Sequence, residues 1–342
     1  MKALVYTGVE TLEYGDEPRP VPKEGEALVR ILASGICGSD MHAFLGHDER
    51  RPAPLVLGHE AAGVVVGGPE DGRRVTINPL VNCTECADCR SGRENLCARR
   101  QIISMPPRPG AFAEYVAIPT RNLVTVPEAT SLEHAALAEP IACGWHGVRL
   151  GLSVLGGPEG RRALVLGGGA IGLGAALSLT AQGAGDIRIV EPHPGRRAFL
   201  KDVCGQNAIG PDDLAADDMF DLVIDGVGFA ATRATASAHA RPGGVIAHIG
   251  LGEATGGLDI RRMTLQEITF IGTYTYTKAD FEATAQAIFD GRLGPLDWIR
   301  TAPLADGAEA FRAIRSGEIA APKTILLPEH ADLASGQSQT PA

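Results

Sequence analysis

The chain has 342 residues, of which 44% are hydrophobic and 21% are charged. This composition is typical of a globular protein with two domains, and it excludes a disordered or a collagen-like chain. The net charge of −10 argues against a nucleic-acid partner, because such partners are bound through basic surfaces.

One uncharged stretch, from Ala163 to Gly185, resembles a membrane helix only in its length. Its first four residues predict a buried strand, its glycines a turn and the remainder a helix, so we expect no membrane partner. The N-terminal residues lack the apolar core of a secretory signal. We therefore expect a cytoplasmic protein with reduced thiols.

Residues 1 to about 130 predict a mostly β domain with irregular loops. Short apolar segments alternate there with Gly and Pro breaks. The predicted strands are Ala27–Leu32, Ala61–Val66, Arg74–Ile77, Phe112–Ile118 and Leu123–Val126. From Ser131 onward, apolar residues recur at helical spacing.

Beyond Arg162, predicted strands alternate with segments of helical length, which indicates a parallel sheet with crossover helices. The strands are Leu164–Leu166, Ile187–Val190, Leu222–Ile224, Val245–Ile249 and Ile268–Ile271, with helices such as Ile171–Gln182 and Gly195–Val203 between them. A final helix, strand, helix and strand are predicted over Ala279–Phe289, Leu296–Ile299, Gly307–Ile314 and Lys323–Leu327.

Four cysteines, Cys83, Cys86, Cys89 and Cys97, lie within fifteen residues. Four thiolates suit a tetrahedral zinc ion, and two-residue spacers let a tight turn direct successive sulfurs at one point. Because four ligands fill the coordination sphere, such a zinc would be structural. Disulfides and an iron–sulfur cluster are the alternatives.

A second set of metal-binding residue types lies in two glycine-flanked loops. Cys37 and His59 are suitable zinc ligands, and Glu60 or another carboxylate can complete a catalytic site with one exchangeable position. The alternative is a buried cysteine beside a hydrogen-bonded histidine. Glu139 is a further candidate, unless it is only a carboxylate favoured at a helix start.

A dinucleotide-binding pattern follows the predicted strand Leu164–Leu166. Gly167, Gly169 and Gly172 form G-x-G-x-x-G, and the helix opens with Ala170 and Ile171. In this pattern the glycines permit a tight turn, an approach of the pyrophosphate to the backbone and close helix packing. The helix N-terminus then faces the phosphates.

The next predicted strand is followed directly by Glu191, nineteen residues after Gly172. A carboxylate there binds both ribose hydroxyls and repels a 2′-phosphate, which favours NAD over NADP. Arg196 follows closely and would weaken that preference, unless it belongs to a solvated helix start.

Together these motifs resemble the zinc-dependent medium-chain dehydrogenase family, and most of all its polyol branch. The resemblance extends to about Pro328. It implies an α/β fold with a discontinuous, mostly β GroES-like catalytic domain (1–140 and 278–342). A Rossmann domain with a doubly wound parallel sheet (141–277) is inserted into it. It also implies one catalytic and one structural zinc per chain, an NAD cofactor and a homodimer or homotetramer.

The resemblance also assigns roles around the catalytic zinc. It implies that Cys37 and His59 bind the ion and that Glu60 lies beside or behind it. Glu139 would bind the ion directly or through water. Asp40 would orient the zinc-binding histidine, as carboxylates outside the ligand set commonly do.

The implied reaction oxidises a secondary hydroxyl of a polyol or sugar alcohol to a ketone, with hydride transfer to NAD. Ser39 and His42 match a proton relay, and Lys323 matches a basic residue near the pyrophosphate. The four cysteines match the structural zinc site.

Other functions remain open at this point. The substrate could be a threonine-like amino alcohol, a simple secondary alcohol or diol, or a sugar-alcohol phosphate bound by Arg50, Arg51 and Arg108. A zinc-containing nucleotide-binding scaffold without catalysis is the non-enzymatic alternative.

Overall fold

The computed structural model describes residues 1–330, so the part of the predicted segment 278–342 after His330 lies outside the described residues. The helices and strands up to residue 136 are β1 (Lys2–Gly8), β2 (Thr11–Asp16), β3 (Glu26–Gly35), α1 (Gly38–Phe44), β4 (Leu55–Val56), β5 (Glu60–Val66), β6 (Arg74–Ile77), β7 (Leu80–Val81), α2 (Ala87–Arg90), β8 (Gln101–Ile102), β9 (Tyr115–Pro119), β10 (Leu123–Thr125) and α3 (Leu132–Ala136).

The middle of the chain alternates helices and strands as predicted. Its elements are α4 (Ala138–Val154), β11 (Ala163–Leu166), α5 (Ala170–Ala181), β12 (Ile187–Val190), α6 (Pro194–Asp202), β13 (Ala208–Ile209), β14 (Phe220–Asp225), α7 (Ala230–His239), β15 (Ala240–His248), α8 (Ile260–Leu265) and β16 (Thr269–Gly272). The chain continues with α9 (Lys278–Phe289), β17 (Ile299–Pro303), α10 (Gly307–Ser316) and β18 (Lys323–Leu327).

The six strands β11 to β16 form one parallel sheet in the order β13-β12-β11-β14-β15-β16. This is the doubly wound arrangement, in which the strand order reverses between β11 and β14 and ligands bind beyond the carboxyl ends of those strands. Alternate residues of each strand enter two apolar cores, because side chains on a strand point to opposite faces. The predicted parallel sheet is confirmed.

A second sheet contains strands from both ends of the chain. Its order is β10-β6-β5-β3-β18-β17, with β9 also paired to β3. In it, β18 runs antiparallel to β3 and places Ile325 opposite Gly35. The sheet thus joins the last described strands to the predicted N-terminal β domain, while the exact domain boundaries remain a prediction.

Two predicted strands are misplaced by a few residues. The strand predicted over Phe112–Ile118 begins only at Tyr115. Before it, the backbone of Phe112 hydrogen-bonds to two other segments: its N–H donates to the carbonyl of Leu57, and its carbonyl accepts from the N–H of Leu4. The strand predicted over Leu296–Ile299 begins at its last residue. Leu296 and Trp298 are buried without being in a strand, so their alternation reflects core packing. None of the helices in residues 1–330 has the length and apolarity required to cross a membrane.

Candidate functional site

Two loops of the β domain bring three metal-binding residues together. Cys37 lies between β3 and α1, while His59 and Glu60 stand where β5 begins. Because β3 and β5 are antiparallel neighbours with Gly35 opposite Glu60, the two loops meet. A sulfur, a ring nitrogen and a carboxylate oxygen of the three residues all lie within 4.8 Å of one another. Zinc accepts this donor set.

The carboxylate of Glu60 is fully buried, and the protein satisfies only one of its oxygens. Its Oε1 accepts a 2.6 Å hydrogen bond from Lys323 Nζ, while Oε2 has no partner among the described residues. Buried polar atoms are rarely left without a partner. A cation at this cluster would provide one, so the residues fit a metal ion.

Lys323 lies at this cluster, a contact that the spacing of residues in the sequence does not reveal. Its ammonium also donates to the carbonyl of Ile36 at 2.8 Å. Burial alone would lower the pKa of Lys323, but the charges of Glu60 and Cys37 raise it above its ordinary value. The ammonium therefore stays charged beside Glu60, and its proximity to a pyrophosphate remains a prediction.

The ring of His59 is held from behind by two oxygens. Its Nδ1 lies 3.4 Å from Asp40 Oδ1 and 3.3 Å from Ser104 Oγ. Asp40 is fully buried and also accepts the backbone N–H groups of Cys37 and Gly58. Burial alone would lower the pKa of His59, but Asp40 and Cys37 raise it well above its ordinary value. Asp40 therefore lies directly behind the ring of His59, and its role in orienting a zinc-binding histidine remains a prediction.

Glu139 lies near the cluster without belonging to the three atoms that form it. It is buried in the first turn of α4, and its Oε1 accepts a 2.7 Å hydrogen bond from the hydroxyl of Tyr276. Burial raises the pKa of Glu139, against the opposing charge of His59. Direct ligation is therefore favoured for Glu60, while Glu139 is positioned by a tyrosine.

Cys143, on α4, is a further thiol near the cluster. Burial raises its pKa well above the ordinary value, and the nearby charges of Glu139 and Cys37 raise it further. The four-residue spacing from Glu139 puts both side chains on one face of α4. That spacing is the sequence signal that could have identified this thiol.

Ser39 and His42 lie three residues apart on α1. Ser39 is half-buried and His42 is exposed, which suits a path from an enclosed site to water. Within residues 1–330 no hydrogen bond joins their side chains. The proton relay remains a prediction.

The four cysteines of the predicted structural zinc site form a compact cluster. The separations of their sulfurs include 3.4 Å for Cys86–Cys89, 3.5 Å for Cys83–Cys97 and 3.8 Å for Cys83–Cys89. Sulfurs placed tetrahedrally about 2.3 Å from zinc are themselves about 3.8 Å apart. Disulfide-bonded sulfurs would be about 2 Å apart. The residues therefore fit one enclosed zinc ion.

The glycine turn has the geometry that its motif predicts. Gly167 follows β11 with a φ of +93°, and Gly169 directly precedes α5. A Cβ on Gly172 would lie 1.8 Å from the carbonyl oxygen of Gly167, whereas one on Gly169 would meet nothing within 4 Å. The third glycine therefore permits packing, and the second leaves open space for a pyrophosphate. Ala170 and Ile171 begin α5, partly buried beside this space.

Glu191 follows β12 with only 4% of its surface exposed. Its two oxygens accept 2.8 Å hydrogen bonds from the N–H groups of Gly168 and His193. These bonds fix the carboxylate beside the glycine turn and leave further lone pairs for ribose hydroxyls. Arg196 Nη1 lies 3.9 Å from Glu191, close enough for a weak ion pair.

One buried acidic residue, at the carboxyl end of the strand that pairs with β11, was not among the predicted site residues. Asp225 ends β14, is fully buried, and accepts hydrogen bonds from the N–H groups of Val227 and Gly228. Its Oδ2 lies 3.0 Å from His248 Nδ1. The sequence signal was an aspartate directly after the predicted strand Leu222–Ile224.

The arginines considered for phosphate binding are engaged by carboxylates. Arg50 and Arg51 both contact Asp48, at 2.8 and 2.7 Å. Arg108 contacts Glu26 at 2.9 Å. Nothing in these contacts supports a phosphate site.

Two family models match the chain: an alcohol dehydrogenase GroES-like domain over residues 23–128 and a zinc-binding dehydrogenase over residues 170–290. The L-idonate 5-dehydrogenase of Vitis vinifera is 32% identical over 296 residues, which cover 79% of this chain and 78% of the relative. A protein named probable D-xylulose reductase A, from Arthroderma otae, is 29% identical over 341 residues, which cover 92% of this chain and 94% of the relative.

A solved structure shows the same fold over nearly the whole chain. The alcohol dehydrogenase of Thermus sp. ATN1 has a TM-score of 0.86 and 26% identity, covering 96% of this chain and 100% of that one. With the matching domains and relatives, this confirms the resemblance read from the motifs. The chain belongs to the zinc-dependent medium-chain dehydrogenase family of oxidoreductases.

Proposed function

We propose that this protein oxidises a secondary hydroxyl of a polyol to a ketone and transfers the hydride to NAD. The observation that carries the proposal is the buried cluster of Cys37, His59 and Glu60. It occurs in a chain that also contains an open glycine turn after a parallel strand. A zinc-containing nucleotide-binding scaffold without catalysis would not need Ser39 and the exposed His42 on the helix that follows Cys37.

In this reaction the alcohol gives up a proton and a hydride, and NAD⁺ becomes NADH. Cys37, His59 and Glu60 would hold a zinc ion, which when bound would act as a Lewis acid on the substrate hydroxyl, and bound NAD would be the hydride acceptor. Ser39 takes the hydroxyl proton, and the exposed His42 passes it to water.

We propose an unphosphorylated, several-hydroxyl substrate. The names of the relatives, an idonate dehydrogenase and a xylulose reductase, concern sugar acids and sugars. The engagement of Arg50, Arg51 and Arg108 by carboxylates further disfavours a sugar-alcohol phosphate. This contact pattern favours the polyol over the phosphorylated alternative.

We also propose that NAD is preferred over NADP. Glu191 is fixed by two backbone N–H groups at the place where the ribose is expected, and a 2′-phosphate there would meet its negative charge. Arg196 is drawn toward Glu191, which reduces its availability for a phosphate.

Assembly into a homodimer or homotetramer in the cytoplasm completes the proposal. Strand β16 stands at the edge of the parallel sheet, and Leu265 on the preceding α8 is 70% exposed. An open sheet edge beside exposed apolar surface suits pairing with a second copy. Light scattering on the purified chain measures its mass directly.

Replacing Cys37 tests the proposed reaction. We expect Cys37→Ser to reduce the zinc content from about two to about one per chain and to abolish NADH formation from sugar alcohols, while the melting temperature changes little. Cys204→Ser, at a half-buried cysteine outside both clusters, is the matched control. Turnover by Cys37→Ser at the wild-type rate would exclude the mechanism. A panel of polyols, sugar acids, amino alcohols, diols and sugar-alcohol phosphates, with NAD and with NADP, identifies the substrate class.

A further inference from the structure

Ser104 occupies a backbone conformation that ordinarily favours glycine. It follows β8, its φ is +70°, and it is fully buried. A side chain in this left-handed region is strained, and the strain persists only where surrounding contacts impose it. The chain nevertheless carries a hydroxyl at this position.

That hydroxyl contacts the metal-binding histidine. Ser104 Oγ lies 3.3 Å from His59 Nδ1, the same nitrogen that faces Asp40 Oδ1 at 3.4 Å. In a ring that binds zinc, the two oxygens beside Nδ1 keep the remaining proton on that nitrogen and leave Nε2 for the metal ion. Groups in such positions fix the tautomer and orientation of a metal-binding histidine.

A buried arginine holds the loop that carries this hydroxyl. The side chain of Arg51 is 3% exposed, and its Nε donates to the carbonyl of Ser104 at 3.0 Å. Its Nη1 donates to the carbonyl of Ser39 at 3.3 Å and to Asp48 at 2.7 Å. Arg51 therefore ties the Ser104 loop to the helix that carries Ser39.

We propose that Ser104 is a positioning residue for His59 and that Arg51 holds Ser104 in place. The hydroxyl shares the Nδ1 proton with Asp40 and keeps the ring turned so that Nε2 faces the metal site. The inference rests on the proposed zinc site at Cys37, His59 and Glu60, and it adds a role for two residues outside the ligand set.

Zinc release from the zinc-loaded full chain tests this role without measuring turnover. We expect Ser104→Ala and Ser104→Gly both to speed release of the catalytic zinc to a chromogenic chelator by roughly tenfold. The zinc of the four cysteines should leave at the wild-type rate, which provides an internal reference. Glycine adopts a positive φ without strain, whereas alanine does not, so Ser104→Gly should melt at a higher temperature than Ser104→Ala.

The two arginines next to each other supply a matched pair. We expect Arg51→Met to speed release of the catalytic zinc, and Arg50→Met to leave it unchanged, because Arg50 contacts Asp48 but not Ser104. Zinc release could instead depend on stability alone, and would then be fast in Ser104→Ala but at the wild-type rate in Ser104→Gly. In that case the role of Ser104 would be purely structural and the inference would be wrong.

The zinc content separates failure of this inference from failure of the proposed site. If Cys37→Ser removes one zinc but both Ser104 variants release zinc at the wild-type rate, only the role of Ser104 is overturned. If the wild-type chain binds zinc at the four cysteines alone, the proposed catalytic site fails, and the inference fails with it.

Discussion

Gly35 provides the space that the Glu60 carboxylate occupies. A Cβ at Gly35 would lie 2.0 Å from Glu60 Oε2, which is far inside van der Waals contact. That oxygen lies at the end of a flexible side chain, so the carboxylate of Glu60 would move while the backbone of β3 would stay in place. The absence of a side chain at residue 35 therefore determines the position of the oxygen that we propose as a metal ligand.

We expect Gly35→Ala to fold but to lose the catalytic zinc. The displaced Glu60 would cost about 1–3 kcal/mol of stability as overpacking, and metal analysis should give about one zinc per chain in place of two. Gly15→Ala is the matched control, because a Cβ at Gly15 in β2 meets nothing within 4 Å. Retention of two tightly bound zinc ions in Gly35→Ala would contradict the assignment of Glu60.

The two later glycines of the nucleotide turn should respond differently to the same substitution. We expect Gly172→Ala to destabilise the protein, because its Cβ would lie 1.8 Å from a backbone oxygen that cannot easily move. Gly169→Ala should fold normally yet weaken NAD binding roughly tenfold or more, since the methyl group would occupy the space left for the pyrophosphate. Thermal melting and NAD titration distinguish these effects. Equal NAD affinity in Gly169→Ala and wild type would place the cofactor elsewhere.

A network of charged and polar side chains around the buried Asp280 fastens α4, which carries Glu139, to α9. Asp280 on α9 accepts hydrogen bonds at 2.7 Å from His146 Nδ1 and at 2.6 Å from Arg149 Nε, both on α4. The hydroxyl of Thr277, at the start of α9, donates to the same carboxylate at 2.7 Å. Burial alone would raise the pKa of Asp280, but these hydrogen bonds hold it well below its usual range.

We expect Asp280→Asn to lower stability by about 1–3 kcal/mol at pH 7, because the buried His146 and Thr277 lose a carboxylate partner. The half-exposed Arg149 adds less, since solvent screens its charge. A depressed pKa contributes stability above the ordinary aspartate value near 4, and this contribution disappears as pH falls toward the folded-state value. Urea unfolding of both proteins should therefore show a difference at pH 7 that shrinks below about pH 4. The control is Asp290→Asn, at the exposed end of α9. A difference that grew on acidification would refute the network.

The segment that contains the four cysteines (residues 83–100, here called the four-cysteine lobe) contacts a segment that is more than 170 residues away in the chain. Asn95 Nδ2 donates to the carbonyl of Tyr274 at 2.8 Å, and the guanidinium of Arg100 stacks on the ring of Tyr274 at 4.7 Å. Two residues later, Tyr276 holds Glu139. The lobe thus contacts the segment that positions Glu139 near the cluster of Cys37, His59 and Glu60.

We expect Cys97→Ser to lower the melting temperature by roughly 5–10 °C, corresponding to about 3 kcal/mol. Cys97 is fully buried, and its loss opens the four-sulfur cluster while leaving Cys37 untouched. The catalytic zinc should stay bound in chelator assays at low temperature. Cys204→Ser again serves as the control, and a melting curve of Cys97→Ser equal to that of wild type would contradict a structural role for this lobe.

Features that depend on short spacing could be predicted from the amino-acid sequence alone. The four cysteines lie within fifteen residues, and the glycine turn directly follows a strand, so their geometry is set by a few consecutive backbone angles. The alternation of strands and helices likewise predicts the parallel sheet, because hydrophobic periodicity is a local property of the chain. The parallel sheet appears in the structure as predicted. The four sulfurs and the glycine turn have geometries that suit their motifs, while their ligands remain predictions.

The identity of the distant residues that complete each site emerged from the three-dimensional packing of the chain. Lys323 and Glu60 are 263 residues apart in the chain, Tyr276 and Glu139 are 137 apart, and Ser104 and His59 are 45 apart. Such pairs depend on strand order and loop paths, and neither residue of a pair carries a local signal of the other. Spacing therefore indicated the chemistry of the ligands, while packing between distant segments determined their charge, orientation and support.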